Sequence, residues 1–467
     1  MMKTSKNYFL ISICKVTTIL IIFTAITANY NSAIANDKLP IFKSNQISFK
    51  QTKTQHIAEP TLTKQLANSS NTPNIEQIKQ VTKQQNATIV QYSIVTDEST
   101  VNEKTEAQES ELYIWVIKPT GEMQFRKIDL KAWGKVENNL FLNLFSRNRR
   151  HHGAISAEPK GIVVYEKPKN KSLKFDLHKL HQVLIEPIAD LLPQKPEERV
   201  IFIPQGELFT VPFAALQDAN GKYLIEKHTI STAPSIQVLD LLYQRQKGRK
   251  DAKPFVPKHI TDDELLIVGN PTAPKTALNP ARDNCKPSRL PGAEEEAKNI
   301  AQMFQTQPLI GDAATETAIA QKMLQARIIH LATNTFPQDY DREDSPGVIA
   351  LASSQQDDGW LKTEEIQNFN LKADLVVLTG GNTALGRITG DGVIGLSRAF
   401  LAAGADSVIG SLWNVSDIST VTLMSEFYGN LSKNTDKAGA LRQAMLETMK
   451  KYPNPEDWAA FTLIGLL

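Results

Sequence analysis

From Leu265 to Leu466 the sequence alternates short apolar runs with segments of helical length, and this alternation restricts the fold more than any other feature. Strand-like runs stand at Leu265–Val268, Arg327–Thr333, Gly347–Ala350, Asp374–Leu378 and Ser407–Leu412. Between and after them lie amphipathic stretches at Ala293–Phe304, Thr315–Leu324, Thr363–Gln367, Val393–Ala403, Ile418–Leu431 and Lys437–Lys450, before a last apolar run, Ala459–Leu466. This order predicts an α/β fold with a mostly parallel sheet covered on both faces, because parallel neighbours need long crossover connections. Arg327–Thr333 is almost continuously apolar and reads as a central strand. In such sheets chemistry gathers where strands end at their carboxyl side. Two ends matter here: RIIHLAT, which stops at Asn334 and Thr335, and DLVVLTGGN, which runs through Thr379 to Gly380, Gly381 and Asn382.

The preceding half is less regular. Thr88–Ile94, Leu112–Ile117 and Gln124–Ile128 are β-rich, with an acidic excursion at Thr96–Ser110. Leu177–Leu192 reads as a helix stopped by Pro193, and Val200–Ile203 as a short buried strand. The basic, proline-bearing stretch Gln244–Asp263 is the expected boundary between halves. Residues 36–86 are polar and without apolar period, a linker ending in a helix near Ile75–Gln84. No repeat period is visible along the chain.

Residues 1–35 have the pattern of a secretory signal. Lys3, Lys6 and Lys15 precede an apolar run of 13 residues, Val16–Ala28, and Ala33-Ile34-Ala35 supplies small residues around a cleavage point. The run is short for a spanning helix, so an exported mature chain without a membrane span is expected; an uncleaved anchor is the alternative. The net charge of +2 gives no support for nucleic-acid binding. Of two cysteines, Cys14 belongs to the signal, and Cys285, in the polar loop ARDNCKPSR, is read as an incidental thiol.

Several patterns have a plain reading beside a chemical one. His330 lies four residues, ~13 Å, before the tip of its strand, so it is expected as a core histidine rather than a base. Gly390–Gly395 spells GxGxxG, but a long loop separates it from the strand ending at Leu378, so nucleotide binding is not expected and Asp391 reads as a helix cap. His178 and His181 sit three apart on a helix without a third ligand in view; no metal and no cofactor are expected. RNRRHH at Arg147–His152 is a solvated basic loop.

The ordered blocks VIFIPQGELFTVPFAAL, LPGAEEEA, IIHLAT, LVVLTGGNTALG, GDGVIGLSRAFLAAGADSVIGSLWNVSD and WAAFTLIG resemble the CHAT domain family from about Thr88 onward. That resemblance implies a caspase-like three-layer α/β/α subdomain over residues 261–467, preceded over 87–260 by a second, degenerate caspase-like layer packed on it. The family pattern implies a histidine base, a glycine whose backbone N–H holds an oxyanion, and a cysteine nucleophile. Asn334, Thr335 and Gly381 stand at those positions. Asparagine does not titrate near neutral pH, glycine carries no nucleophile, and a β-branched threonine crowds an oxyanion site. Loss of even one member of a nucleophile–base pair costs about 10⁶ in rate.

A rescue by Thr335, Thr379 or Thr383 would need a positioned base, and the nearby Asp339, Asp341 and Asp344 read as loop carboxylates. What the resemblance leaves is a groove where a peptide pairs with main chain. Its candidates are Thr379, Gly380, Asn382, Thr383, Asp391, Trp413, Asn414 and Asp417, with Trp413 equally readable as core. The expected function is an exported, catalytically inactive peptidase homologue that binds a peptide or protein. The alternatives are an active endopeptidase and a structural envelope protein.

Overall fold

The computed structural model describes residues 74–101, 104–132, 171–249, 260–278, 287–336, 347–381, 383–389, 392–433 and 436–467. The expected signal and linker up to residue 73, the Arg147–His152 loop and Cys285 lie outside the described residues.

In the first half, helix α1 (Ile75–Gln85) leads into β1 (Ala87–Val101), β2 (Lys104–Ile117) and β3 (Met123–Asp129). The acidic excursion is no loop. The β1–β2 ladder runs through it, from Thr96↔Glu109 to Val101↔Lys104, after a register shift at Val95/Thr96. Apolar alternation gave no sign of this, because main-chain pairing needs no apolar side chains. Helix α2 (Lys171–Leu184) ends earlier than expected. Pro187 lacks a backbone N–H to continue it, and a single 3₁₀ turn, Glu186–Ile188, follows. Strands β4 (Arg199–Ile203) and β5 (Thr229–Thr232) precede helix α3 (Ile236–Gly248).

The second half runs β6 (Leu265–Pro271), α4 (Pro291–Met303), β7 (Leu309–Gly311), α5 (Glu316–Met323) and β8 (Ile328–Ala332). Three short strands, β9 (Thr335–Phe336), β10 (Val348–Ala350) and β11 (Trp360–Lys362), form a separate antiparallel sheet. Then come β12 (Leu375–Leu378), the hairpin β13 (Gly386–Thr389) and β14 (Gly392–Gly395), and helix α6 (Leu396–Ala403). The expected helix start at Val393 is thus strand. A Cβ on Gly395 would stand 2.5 Å from the Leu385 carbonyl, so Gly395 serves a close hairpin approach. Strand β15 (Ser407–Ser411), helices α7 (Asp417–Leu431) and α8 (Lys437–Lys451), and strand β16 (Phe461–Gly465) complete the chain.

The large sheet has the order β3-β2-β1-β4-β5-β16-β15-β12-β8-β6-β7. It is mostly parallel, with antiparallel neighbours at β3–β2, β2–β1 and β16–β15. The two halves do not stack as layers: they continue edge to edge, because β16 runs antiparallel to β15 and then pairs with β5 through Ile464↔Thr232. One core cluster passes beneath both. Leu180 and Leu184 of α2 and Val90 and Phe202 of the first half share it with Ile267, Ile328, Val377 and Ile409 and with residues of α4, α7 and α8. Helices α3, α5 and α6 contact β16, β6 and β15, and their buried residues stand outside that cluster, so they cover the other face. Burial on both faces matches the apolar runs of the inner strands.

Candidate functional site

Strands β8 and β12 are parallel neighbours from Leu375↔Ile328 to Leu378↔Leu331, and the Thr379 N–H continues the ladder to the Leu331 carbonyl at 3.2 Å. The two strand tips are therefore side by side. Beyond Ala332 the chain is pulled toward β10: the Thr333 hydroxyl donates to the Ala350 carbonyl at 2.6 Å, and the Asn334 carbonyl accepts from the Ala350 N–H at 2.9 Å. Asn334 turns its amide to the segment before α4, donating to the Ser288 carbonyl at 2.7 Å and accepting from the Ser288 hydroxyl at 3.4 Å. Thr335 turns the other way and donates to the Gly381 carbonyl at 2.7 Å.

On the β12 side, the backbone of the glycine pair is gripped from two directions. A Cβ on Gly380 would stand 2.5 Å from the Thr333 carbonyl and 2.7 Å from the Thr335 methyl. A Cβ on Gly381 would overlap the Asn414 side-chain oxygen outright and stand 2.5 Å from its Cγ. The loop after the glycines is fixed from within. The buried Thr383 hydroxyl donates to the Leu378 carbonyl at 3.0 Å and accepts from the Ser411 N–H at 2.8 Å. The Ser411 hydroxyl donates to the Gly380 carbonyl at 2.6 Å, and the Ser397 hydroxyl to the Thr383 carbonyl at 2.9 Å.

The groove candidates therefore divide. Thr379 is half-buried beside the tips and Asn414 is exposed across from Gly381. Thr383 and Trp413 face inward and line no groove: Thr383 is tied up as above, and the Trp413 ring belongs to the core while its indole N–H donates to the Glu456 carbonyl at 2.9 Å. Asp417 stands at the first turn of α7, where a carboxylate suits the helix dipole, with its Cγ 2.8 Å from where a Cβ on Gly292 of α4 would be. Asn382, Asp391 and the carboxylates Asp339, Asp341 and Asp344 lie outside the described residues. Nothing in the sequence pointed to Ser288, Ser397 or Ser411, whose roles depend on neighbours far along the chain.

Among the described residues, the histidine of β8 is held away from the tips. His330 is fully buried on β8, with Nδ1 3.1 Å from the Tyr428 hydroxyl and Nε2 3.1 Å from Glu296 Oε1. The histidine and carboxylate stand at ion-pair distance without hydrogen-bond geometry. Burial, and then the Glu296 charge, hold the Tyr428 phenol well above its ordinary range. This cluster is sealed in the core, as expected of His330. His178 is engaged too: Nδ1 lies 3.0 Å from the Gln217 carbonyl, and burial lowers the pKa of the neighbouring His181. Among the described residues no group of three or more His, Cys, Asp or Glu side chains is placed to hold a metal. A displaced carboxylate lies on α5. Glu316 is pushed up to about 7 by burial and by the charges of Glu365, Asp357 and Asp358, while its Oε2 accepts from the Gly359 N–H at 3.1 Å.

The CHAT domain family model matches residues 175–466. The chain belongs to the CHAT domain family. The match begins inside α2, so β1–β3, included in the expected extent from Thr88, lie before it. Most of the mostly parallel α/β sheet expected above falls within the match. Among curated proteins, this CHAT chain is 28% identical to mouse tetratricopeptide repeat protein 28 over 353 residues, 67% of this chain and 14% of that one. It is 27% identical to the human protein over 395 residues, 74% of this chain and 16% of that one. The chain thus spans about one seventh of the length of those relatives. Among solved structures it is similar to the Saccharomyces cerevisiae separase–securin complex, at 12% identity and TM-score 0.43, covering 86% of this chain and 32% of that chain. It is also similar to the Arg-specific cysteine proteinase gingipain R, at 13% identity and TM-score 0.35, covering 64% and 68%. No helix among the described residues is long and apolar enough to cross a membrane.

Proposed function

We propose that this CHAT domain is a peptidase homologue that no longer cleaves: it is exported and binds an extended peptide or protein partner across the tips of β8 and β12. The observation that carries the reading is the composition of those tips. Where an acyl-transfer site needs a base, a nucleophile and an open oxyanion donor, Asn334 is bonded to Ser288, Gly381 has no side chain, and Thr335 is bonded to the Gly381 carbonyl. The parallel pairing of β8 and β12, which sets the two tips side by side, supports a binding role for that end of the sheet. The pattern of residues 1–35 supports export.

Two experiments test the reading. The purified chain is incubated with a degenerate library of N-acetylated, C-amidated octapeptides and both cleavage and retention are read by mass spectrometry. Retention of a defined subset without cleavage is expected; cleavage abolished by Thr379→Val, or no retention at all, overturns it. A fusion of residues 1–40 to a reporter enzyme active only outside the cytoplasm is expected to be active, and a silent, intact fusion refutes export.

A further inference from the structure

Gly381 and Asn414 are coupled in a way that neither residue announces alone. Gly381 follows β12 and Asn414 follows β15, which is the neighbouring strand in the sheet. A Cβ at 381 would coincide with the Asn414 carboxamide, while the Asn414 backbone Cα would stand 3.3 Å away. The conflict is thus with the end of a side chain and only marginally with main chain. Gly381 is also absent from the glycines with positive φ, so its backbone does not itself demand glycine. What occupies the space of a side chain there is the Asn414 carboxamide, the end of an exposed side chain.

We infer that Asn414 has taken over the space of a side chain at position 381, so that the two positions form one unit that plugs the space between the ends of β12 and β15. Three consequences follow from the geometry. First, a cysteine restored at 381 finds room for its own Cβ only once the Asn414 carboxamide has swung out, so reversal at 334, 335 and 381 is expected to gain from shortening 414 as well. Second, Thr335 on one side and Asn414 on the other hold the glycine pair between them, which fixes the closed form of the tips. Third, entry of a peptide, which rests on the binding reading above, requires the carboxamide to rotate away or to bond the peptide itself. A carboxamide is suited to the latter, since one head group both donates and accepts without ionising.

The test is a double-mutant cycle on the full chain: Gly381→Ala, Asn414→Ala and the pair together, each followed by thermal unfolding. With Asn414 present, Gly381→Ala is expected to lower Tm by about 2 °C or more, because overpacking forces the side chain out. In the Asn414→Ala background, the same change is expected to leave Tm unchanged or raise it, because alanine restricts the unfolded chain. Should Gly381→Ala alone fail to fold, recovery of a folded protein in the pair carries the same meaning. An equal effect of Gly381→Ala in both backgrounds, or no recovery, overturns the inference. No peptide enters the experiment, so a failure of the binding reading and a failure of the plug are seen separately.

Discussion

The Thr335 hydroxyl donates to the Gly381 carbonyl at 2.7 Å, tying the tip of one central strand to the tip of its neighbour. Thr335 thus acts as a clasp between the two tips. Thr335→Val keeps the shape and removes the donor. It is expected to cost about 1 kcal/mol in urea unfolding, the usual net worth of such a bond. Amide exchange at residues 380–385 is expected to quicken by more than the global change accounts for.

A larger loss is expected at Thr383. Its hydroxyl serves the buried Leu378 carbonyl and the buried Ser411 N–H, so Thr383→Val strands a donor and an acceptor at once. Each buried group left without a partner costs roughly 1–3 kcal/mol. The denaturation midpoint should therefore fall well below that of Thr335→Val, and equal midpoints would contradict the inward role of Thr383.

Stability should depend on pH through Glu316. Its folded pKa, about 7, lies above the ordinary carboxylate value, chiefly through burial and then through Glu365, Asp357 and Asp358. Between those two values the folded chain binds more protons than the unfolded one, so stability falls as pH rises through that window. Tm measured from pH 5 to pH 8 is expected to decline more steeply for the native chain than for Glu316→Gln. Parallel curves would remove Glu316 as the source.

At the opposite end of the strands from the tips, just before β15, Asp406 is buried and receives Arg249 Nη2 at 2.7 Å and Gln246 Nε2 at 2.9 Å. Burial outweighs these partners and leaves its carboxyl raised. Arg249→Ala strips the main counter-charge from a buried acid. A cost of roughly 3–5 kcal/mol in urea unfolding is expected, with Asp406→Asn in the same background recovering part of it.

How far the sequence could be read depended on the range of each cause. The central parallel strands were legible because burial on both faces leaves continuous apolar runs, as in Arg327–Thr333. The tips were legible because Asn334, Thr335 and Gly381 fall at fixed places in ordered blocks. The β1–β2 ribbon was not, since polar main-chain pairing leaves no apolar alternation at Thr96–Ser110. Glycine at 390, 392 and 395 looked like a helix start, and close hairpin approach cannot be told from it locally. Trp413 could be wall or core until its ring was seen in the core, and Thr383 needed Ser411 beside it. The dependence of Gly381 on Asn414 joins residues 33 positions apart and leaves no local pattern at all.

The place of β16 governs the order of assembly. It follows every other described strand in the chain, yet it sits between β5 and β15, where it closes both halves at once. Until Phe461–Gly465 have left the ribosome, β5 and β15 each present an unsealed row of amides and carbonyls. A nascent chain stalled short of that point would carry two sticky margins, so emergence of β16, rather than folding of either half, is what covers them.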